Sequence, residues 1–98
     1  MTPRVSFNAL AQTELEDAAE YYRRIDPDVA NSFAEGVENA LGFIAGYPEG
    51  SPNVGGSVRK KQILGFPYCL LYEVHTDGIR VLAVMNQWRR PFYWLGRG

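Results

Sequence analysis

Residues 79–94 read IRVLAVMNQWRRPFYW, an apolar stretch that turns abruptly into a cationic and aromatic one. Six of the eight residues from Ile79 to Asn86 are apolar, which favours a buried strand. Arg, Tyr and Trp often dominate binding energy at interfaces, and they also suit nucleic-acid backbones and bases. Two interpretations stay open at this point: the segment after the strand binds another macromolecule, or its rings fold back over the sheet while its arginines are merely solvated.

Composition limits what the rest of the chain can be. Ninety-eight residues, 46% of them hydrophobic and 21% charged, indicate one ordinary globular domain covering residues 1–98. No apolar run approaches the roughly 18 residues that suggest a membrane span, and the N-terminus lacks the pattern of a secretory signal. The single cysteine, Cys69, has no internal partner for a disulfide, so a reducing cytoplasm is the expected compartment.

Charge is distributed unevenly along the chain. Residues 1–49 carry three basic and nine acidic side chains, a net charge of −6. Residues 50–98 carry seven basic and two acidic ones, a net charge of +5. We therefore expect a basic C-terminal half on an acidic support, with a surface suited to nucleic acid or to an acidic protein segment.

The acidic half predicts a short strand at residues 4–7 followed by two amphipathic helices. Asn8 fits the N-cap of the first helix, because its side chain can accept a backbone N–H of the first turn. Apolar residues then recur at three- and four-residue steps as far as Ile25. Asp26-Pro27 separates this helix from a second one that runs to about Tyr47. So short a break favours an antiparallel helical hairpin.

The basic half predicts three strands in a meander, at residues 58–64, 68–74 and 79–86, after a Gly- and Pro-rich surface loop at residues 46–57. The order strand, helix, helix, three strands is that of an α+β domain. Its helical hairpin should pack on a small, mainly antiparallel sheet. The alternation of the first meander strand is imperfect, so the face of the sheet taken by Arg59 and Lys61 stays open.

Asp77-Gly78 is a strong signal for a two-residue hairpin loop. With these two residues as the loop, Tyr72 should lie opposite Ala83. Val74 should then lie opposite Val81, so that apolar side chains face one another across the hairpin.

Most patterns that support catalysis are missing. His75 is the only histidine and belongs to the hairpin, and Cys69 lies mid-strand, where a thiol usually acts as a small hydrophobe. No Cys or His pair has metal-ligand spacing and no Gly-rich phosphate loop follows a strand, so we expect no metal and no cofactor.

A basic and aromatic cluster remains, and it has three interpretations. It could contact a target, or it could support metal-independent cleavage of an RNA phosphodiester through cations that stabilise charge at phosphorus. It could also be a solvated basic strand without a role. Its members are Arg59, Lys60, Lys61, Arg89, Arg90, Tyr93 and Trp94.

Several short segments, in this order and spacing, resemble one family. They are AAEYY at residues 18–22, YP at 47–48, VR at 58–59, FPY at 66–68, LYEV at 71–74, LAV at 82–84 and RRPFYW at 89–94. The set is similar to the ParE/RelE superfamily of toxins from bacterial type II toxin–antitoxin modules, in the branch of plasmid-stabilisation proteins. The last segment is similar to that family's C-terminal Arg-Arg-Pro-x-Tyr-Trp signature. The resemblance implies the same strand–helix–helix–three-strand fold. It also implies a ParD-like or similar antitoxin, whose C-terminal segment wraps the hairpin and sheet.

Two activities divide that superfamily. ParE-like members bind and poison DNA gyrase, whereas RelE-like members cut mRNA on the ribosome. The resemblance favours the first, a toxin that is not an enzyme and that contacts its target through Arg59, Arg89, Arg90, Tyr93 and Trp94.

The alternative is a ribosome-dependent, metal-independent mRNA endonuclease. It would assign catalysis to Lys61, Arg89 and Tyr93, a loose match to the RelE-like set. Asn86 stands where many relatives of this branch carry His, which argues against an acid–base role at that position. A third hypothesis is a non-toxic relative that only binds an antitoxin.

Overall fold

The computed structural model describes residues 3–98 and places the helices and the C-terminal segment on opposite faces of one sheet. The elements are β1 (Val5–Phe7), α1 (Ala9–Ile25), α2 (Pro27–Gly46), β2 (Asn53–Gly55), β3 (Val58–Gln62), β4 (Tyr68–His75) and β5 (Gly78–Asn86). The strand order is β1-β5-β4-β3-β2, with β1 parallel to β5 and all other pairs antiparallel. The predicted α+β fold is confirmed, with one addition: the expected loop at 46–57 contains the short strand β2.

The helical hairpin is set by local capping. The Asn8 side chain accepts the Leu10 N–H at 2.8 Å, as predicted for an N-cap. Asp26 ends α1 and begins α2: its own N–H donates to the Tyr22 carbonyl, and its carboxylate accepts the Asp28 N–H, both at 2.9 Å. Pro27 then occupies the first turn of α2, where no N–H is needed. One residue thus satisfies two helix ends, which makes the turn between the helices tight.

The first core lies between the hairpin and the sheet. Its centre is a group of four rings, with centroids 5.0 to 6.3 Å apart, formed by Tyr22, Phe33, Phe66 and Tyr68. Gly36 lets α2 approach the turn after β3, because a Cβ there would stand only 3.0 Å from the Ile63 side chain.

Neither helix is long and apolar enough to cross a membrane, among the residues described.

The hairpin register differs from the prediction. Tyr72 pairs with Val81 and Val74 with Ile79, and the two-residue loop is Thr76-Asp77. The predicted pairing was wrong: each of these residues of β4 pairs with a residue of β5 two positions earlier than predicted. A shift of two leaves every side chain on the same face, so alternation could not reveal it. Gly78 closes the hairpin at φ 143°, and the Arg4 carbonyl oxygen lies too close to its Cα to leave room for a Cβ.

A β-bulge in β5 builds the second core. Leu71 pairs with Ala83 and Tyr72 with Val81, so Leu82 is an extra residue in the strand. Val81 and Val84 belong to the first core, whereas Leu82 and Ala83 both belong to the second. The second core is covered by the C-terminal part of the chain. The buried members of this core are Val58, Cys69, Leu71, Leu82, Ala83 and Trp94.

The open question about β3 is resolved by its partners. Arg59 pairs with Tyr72 and Lys61 with Leu70, two residues of the first core. The Lys61 ammonium lies 4.0 Å from the centroid of the Phe43 ring, a cation–π contact with α2. Both cations therefore lie on the helix face of the sheet.

Candidate target-binding surface

The C-terminal segment, residues 87–98, crosses the second face of the sheet as a series of turns. At its start, the Gln87 N–H donates to the Pro67 carbonyl at 2.9 Å. At its other end, the Gly98 backbone oxygen accepts hydrogen bonds from Asn8 and Arg80, each at 3.1 Å. The segment is thus fastened at both ends to the body of the protein.

Within this segment, residues 88–92 form an arch that presents side chains to solvent. Trp88 is 75% exposed and Phe92 is 52% exposed, and Arg89 and Arg90 are also exposed. Asn86 turns the chain into the arch, because its side chain accepts the Trp88 N–H at 2.9 Å. We call residues 88–92 the arch from here on.

Phe92 adopts a strained backbone conformation. Its φ of 60° is the only positive value at a non-glycine position among residues 3–98. Such a conformation costs about 1 to 3 kcal/mol and persists only where the surroundings impose it. The next two residues are both held in place, Tyr93 by Glu14 and Trp94 in the second core.

Trp94 anchors the segment. It is 5% exposed and packs in the second core. The interpretation in which the C-terminal rings fold back over the sheet is therefore confirmed for Trp94, whereas Phe92 stays at the surface. Arg89 and Arg90 are solvated, as the same interpretation expected.

Tyr93 is held by a carboxylate from α1. Its hydroxyl donates to Glu14 Oε2 at 2.8 Å, and burial, followed by this hydrogen bond, raises the pKa of Tyr93 well above its usual value. The phenol is therefore neutral and a donor at physiological pH. The Arg89 guanidinium lies 4.3 Å from the centroid of the Tyr93 ring, and that of Arg97 lies 4.9 Å from it.

Glu14 has three further donors. Its Oε1 accepts the Val84 N–H at 3.0 Å and Arg97 Nη1 at 2.8 Å, and its Oε2 accepts Arg97 Nη2 at 3.3 Å. Arg97 also donates to the Leu82 carbonyl at 3.2 Å. The side chains of Glu14 and Arg97 are only 20% and 12% exposed, so this ion pair is shielded from solvent.

The sequence offered a signal for Glu14 that was missed. Ala11, Ala18 and Tyr22 are the buried residues of α1, and Glu14 lies three residues after the first of them and four before the second. A carboxylate on the buried stripe of an amphipathic helix needs a partner. Its partners lie 70 to 83 residues away, so spacing alone did not identify them.

Arg59 lies apart from the arch. Its guanidinium donates to the carbonyls of Ser51 at 2.8 Å and Glu49 at 3.3 Å, and its side chain is 25% exposed. It therefore ties the loop after α2 to the helix face of the sheet. Of the other predicted contact residues, Arg89 and Arg90 are exposed, Tyr93 is half-buried and Trp94 is buried.

The three residues of the endonuclease hypothesis are also not assembled. Lys61 lines a cleft between α2 and β3 together with Phe43 and Leu64. Arg89 and Tyr93 line a different cleft, beside α1.

The other reactive side chains lie outside the arch. Burial raises the pKa of the Cys69 thiol to about 11, so the thiol is protonated at neutral pH. His75 lies beside Glu73 at 3.2 Å on the β4–β5 hairpin. Between residues 3 and 98, no group of three or more His, Cys, Asp or Glu residues is placed to hold a metal ion.

Comparison with known proteins decides the family. A model of the family described as "ParE toxin of type II toxin-antitoxin system, parDE" matches residues 5–91. The chain belongs to the ParE toxin family. This ParE toxin therefore belongs to a type II toxin–antitoxin system, as the sequence resemblance predicted, and the family implies an antitoxin partner. Tyr93, Trp94 and Arg97 lie beyond the matched range.

A solved structure agrees on the fold. The ParE toxin is similar to a chain in "Chromosomal ParDE TA system from P. aeruginosa", with a TM-score of 0.73 and 15% sequence identity. The alignment covers 87% of this toxin and 96% of that chain. At this identity the likeness establishes the architecture, and no curated protein matches the sequence.

Proposed function

We propose that this ParE toxin acts by binding and inhibiting DNA gyrase, and that a cognate antitoxin, ParD-like or similar, neutralises it. Family membership supports the mode of action. The observation that carries the site is the arch, an exposed cationic and aromatic loop that is fastened at both ends. Gyrase is a cytoplasmic enzyme, so the proposal places the toxin in the cytoplasm.

Some residues of the site would contact the target, and others hold the contacting residues in place. Arg89 and Arg90 are exposed and would form the polar contacts with the target. Tyr93 supports the Arg89 guanidinium through its ring, and Trp94 supports the arch from below by filling the second core. Arg59 would contribute through the loop that it holds. Preorganised arginine and aromatic side chains are typical of the few residues that dominate an interface.

The geometry does not favour the mRNA endonuclease. General acid–base work needs a group whose proton is exchangeable near neutral pH and within reach of the substrate. The Tyr93 hydroxyl is instead committed to Glu14, and its pKa is raised. Lys61 lies in a separate cleft. Of the two cations that the endonuclease hypothesis assigns to catalysis, only Arg89 therefore lies beside Tyr93.

The antitoxin requires a surface on the hairpin and sheet, and one is open. Leu64 and Tyr47 are large apolar residues that are mostly exposed near the end of β3 and of α2. Leu64 lines the cleft between these elements together with Phe43 and Gly65, and the Phe43 ring packs against that of Tyr47 with centroids 5.5 Å apart. We propose that the antitoxin covers this region, in keeping with the wrapping that the family resemblance implies.

Induction of the toxin without its antitoxin tests the proposal in cells. We expect DNA breaks and the DNA-damage response to precede any loss of protein synthesis. Replacement of Arg89 and Arg90 by alanine should abolish the breaks. Transcript cleavage with intact DNA would indicate the endonuclease instead, and normal growth would indicate a non-toxic relative.

The chain offers a matched control for that double substitution. Arg23 and Arg24 are also adjacent and exposed, and among residues 3–98 they make ion pairs only with Glu20 on the same helix. Their replacement removes the same charge at little cost in stability, because exposed pairs contribute about 0 to 1 kcal/mol. The Arg23→Ala/Arg24→Ala variant should stay toxic.

A further inference from the structure

We propose that Glu14 is a positioning residue of the target-binding surface: its carboxylate, through Tyr93 and Arg97, fixes the conformation in which the arch presents Arg89. This inference rests on the proposed function. Glu14 belongs to the acidic half of the chain, and the proposal gives this half a role in positioning the arch that net charge alone does not suggest.

The first step is that Glu14 joins three parts of the molecule at one carboxylate. It receives one backbone donor from β5 and three side-chain donors from the C-terminal segment. Among residues 3–98, every hydrogen bond between α1 and the C-terminal segment involves Glu14. Helix α1 therefore holds that segment by polar contacts at a single point.

The second step is that this point controls the arch. Tyr93 directly follows Phe92, whose backbone is in the strained left-handed region. The Tyr93 ring also carries the Arg89 guanidinium at 4.3 Å. If the Tyr93 hydroxyl loses its acceptor, the ring is free to move, the strain at Phe92 can relax, and Arg89 loses the surface on which it lies.

The third step is that the carboxylate is needed for its charge and not for its shape. All four donors converge on two oxygens, and two of the donors belong to a guanidinium. Glutamine has nearly the same shape but only one oxygen acceptor, and its amide would point N–H groups at another donor. Hydrogen bonds that involve charged groups are roughly twice as strong as neutral ones.

Glu14→Gln is therefore the decisive substitution, and Glu16→Gln is its control. Glu16 lies on the same helix and is exposed. Within the described part of the chain its side chain accepts only a hydrogen bond from Gln12, also in α1. We expect Glu14→Gln to weaken binding to purified gyrase roughly tenfold, the loss of about one charge-assisted hydrogen bond. Glu16→Gln should leave the affinity unchanged.

A double-mutant cycle separates positioning from general destabilisation. If Glu14 acts through Arg89, then Glu14→Gln should have little further effect on gyrase affinity in the Arg89→Ala background. Tyr93→Phe, which removes only the hydroxyl, should reproduce most of the effect of Glu14→Gln. Full additivity of Glu14→Gln and Arg89→Ala would overturn the proposal.

Hydrogen exchange provides a readout that does not depend on gyrase. The amides of Trp88, Arg89 and Tyr93, which donate hydrogen bonds in the wild type, should exchange faster in Glu14→Gln. The amides of β4 should not change, and Glu16→Gln should match the wild type. Unchanged exchange in the arch would overturn the positioning role even if gyrase binding depends on Arg89. Unchanged gyrase binding in Arg89→Ala would instead refute the proposed function, and exchange would still decide whether Glu14 holds the arch.

Discussion

Replacement of Trp94 by alanine should destabilise the toxin far more than replacement of Trp88. The two tryptophans lie six residues apart in one segment, yet Trp94 is 5% exposed and Trp88 is 75% exposed. Trp94 fills the second core against Leu82 and Val58, and removal of a buried tryptophan side chain typically costs about 3–5 kcal/mol. Substitution at an exposed position usually changes stability by about 0.5 kcal/mol or less.

The assay is equilibrium denaturation of both variants, followed by thermal melting. For a chain of this size, each kcal/mol shifts the melting temperature by roughly 4–8 °C, so Trp94→Ala should melt on the order of 15 °C lower. Both variants can be made in an Arg89→Ala/Arg90→Ala background to avoid toxicity during expression. Equal destabilisation by the two substitutions would refute the assignment of Trp94 to the core. So would a loss of less than about 1 kcal/mol in Trp94→Ala.

Two further predictions concern the sheet. Gly78→Ala should lower the free energy of unfolding, measured by urea titration, by at least about 2 kcal/mol, because Gly78 has φ 143° and a Cβ would overlap the Arg4 carbonyl oxygen. Gly42 lies in α2 with open space around it, so the control Gly42→Ala should be neutral or stabilising. A similar loss of stability in both variants would contradict the geometry. Cys69 should resist a thiol reagent in the native state at pH 8 and react on unfolding, because burial raises its pKa to about 11. The folded protein favours the protonated thiol, so the contribution of Cys69 to the free energy of unfolding should be complete below its unfolded pKa. That contribution should decline as the pH rises from about 9 towards 11. Rapid labelling of the native protein at pH 8 would contradict the burial of Cys69.

The elements that the sequence predicted well are those whose signals are local. Asn8 caps α1 through a bond that reaches two residues along the chain, and Asp26-Pro27 separates α1 from α2 as predicted, so residue type and position were sufficient. Tyr22 and Phe33 likewise lie on apolar stripes whose spacing is visible in the sequence, whereas Phe66, in the turn before β4, belongs to no such stripe.

The features that were missed depend on long-range or backbone-only interactions. The register of the hairpin was misjudged because a two-residue shift preserves the facing of every side chain. Strand β2 is only three residues long and turns through Gly55 and Gly56, which read as loop. The Glu14 contacts join residues up to 83 positions apart, a separation that no local pattern encodes.

The most direct test of the central claim uses purified gyrase and supercoiled plasmid. We expect the wild-type toxin to convert the plasmid to linear DNA in the presence of gyrase and ATP. The Arg23→Ala/Arg24→Ala variant should do the same, whereas Arg89→Ala/Arg90→Ala should leave the plasmid intact. Equal linear product from the two double variants would contradict the account of the arch, and no linear product with the wild-type toxin would contradict gyrase as its target.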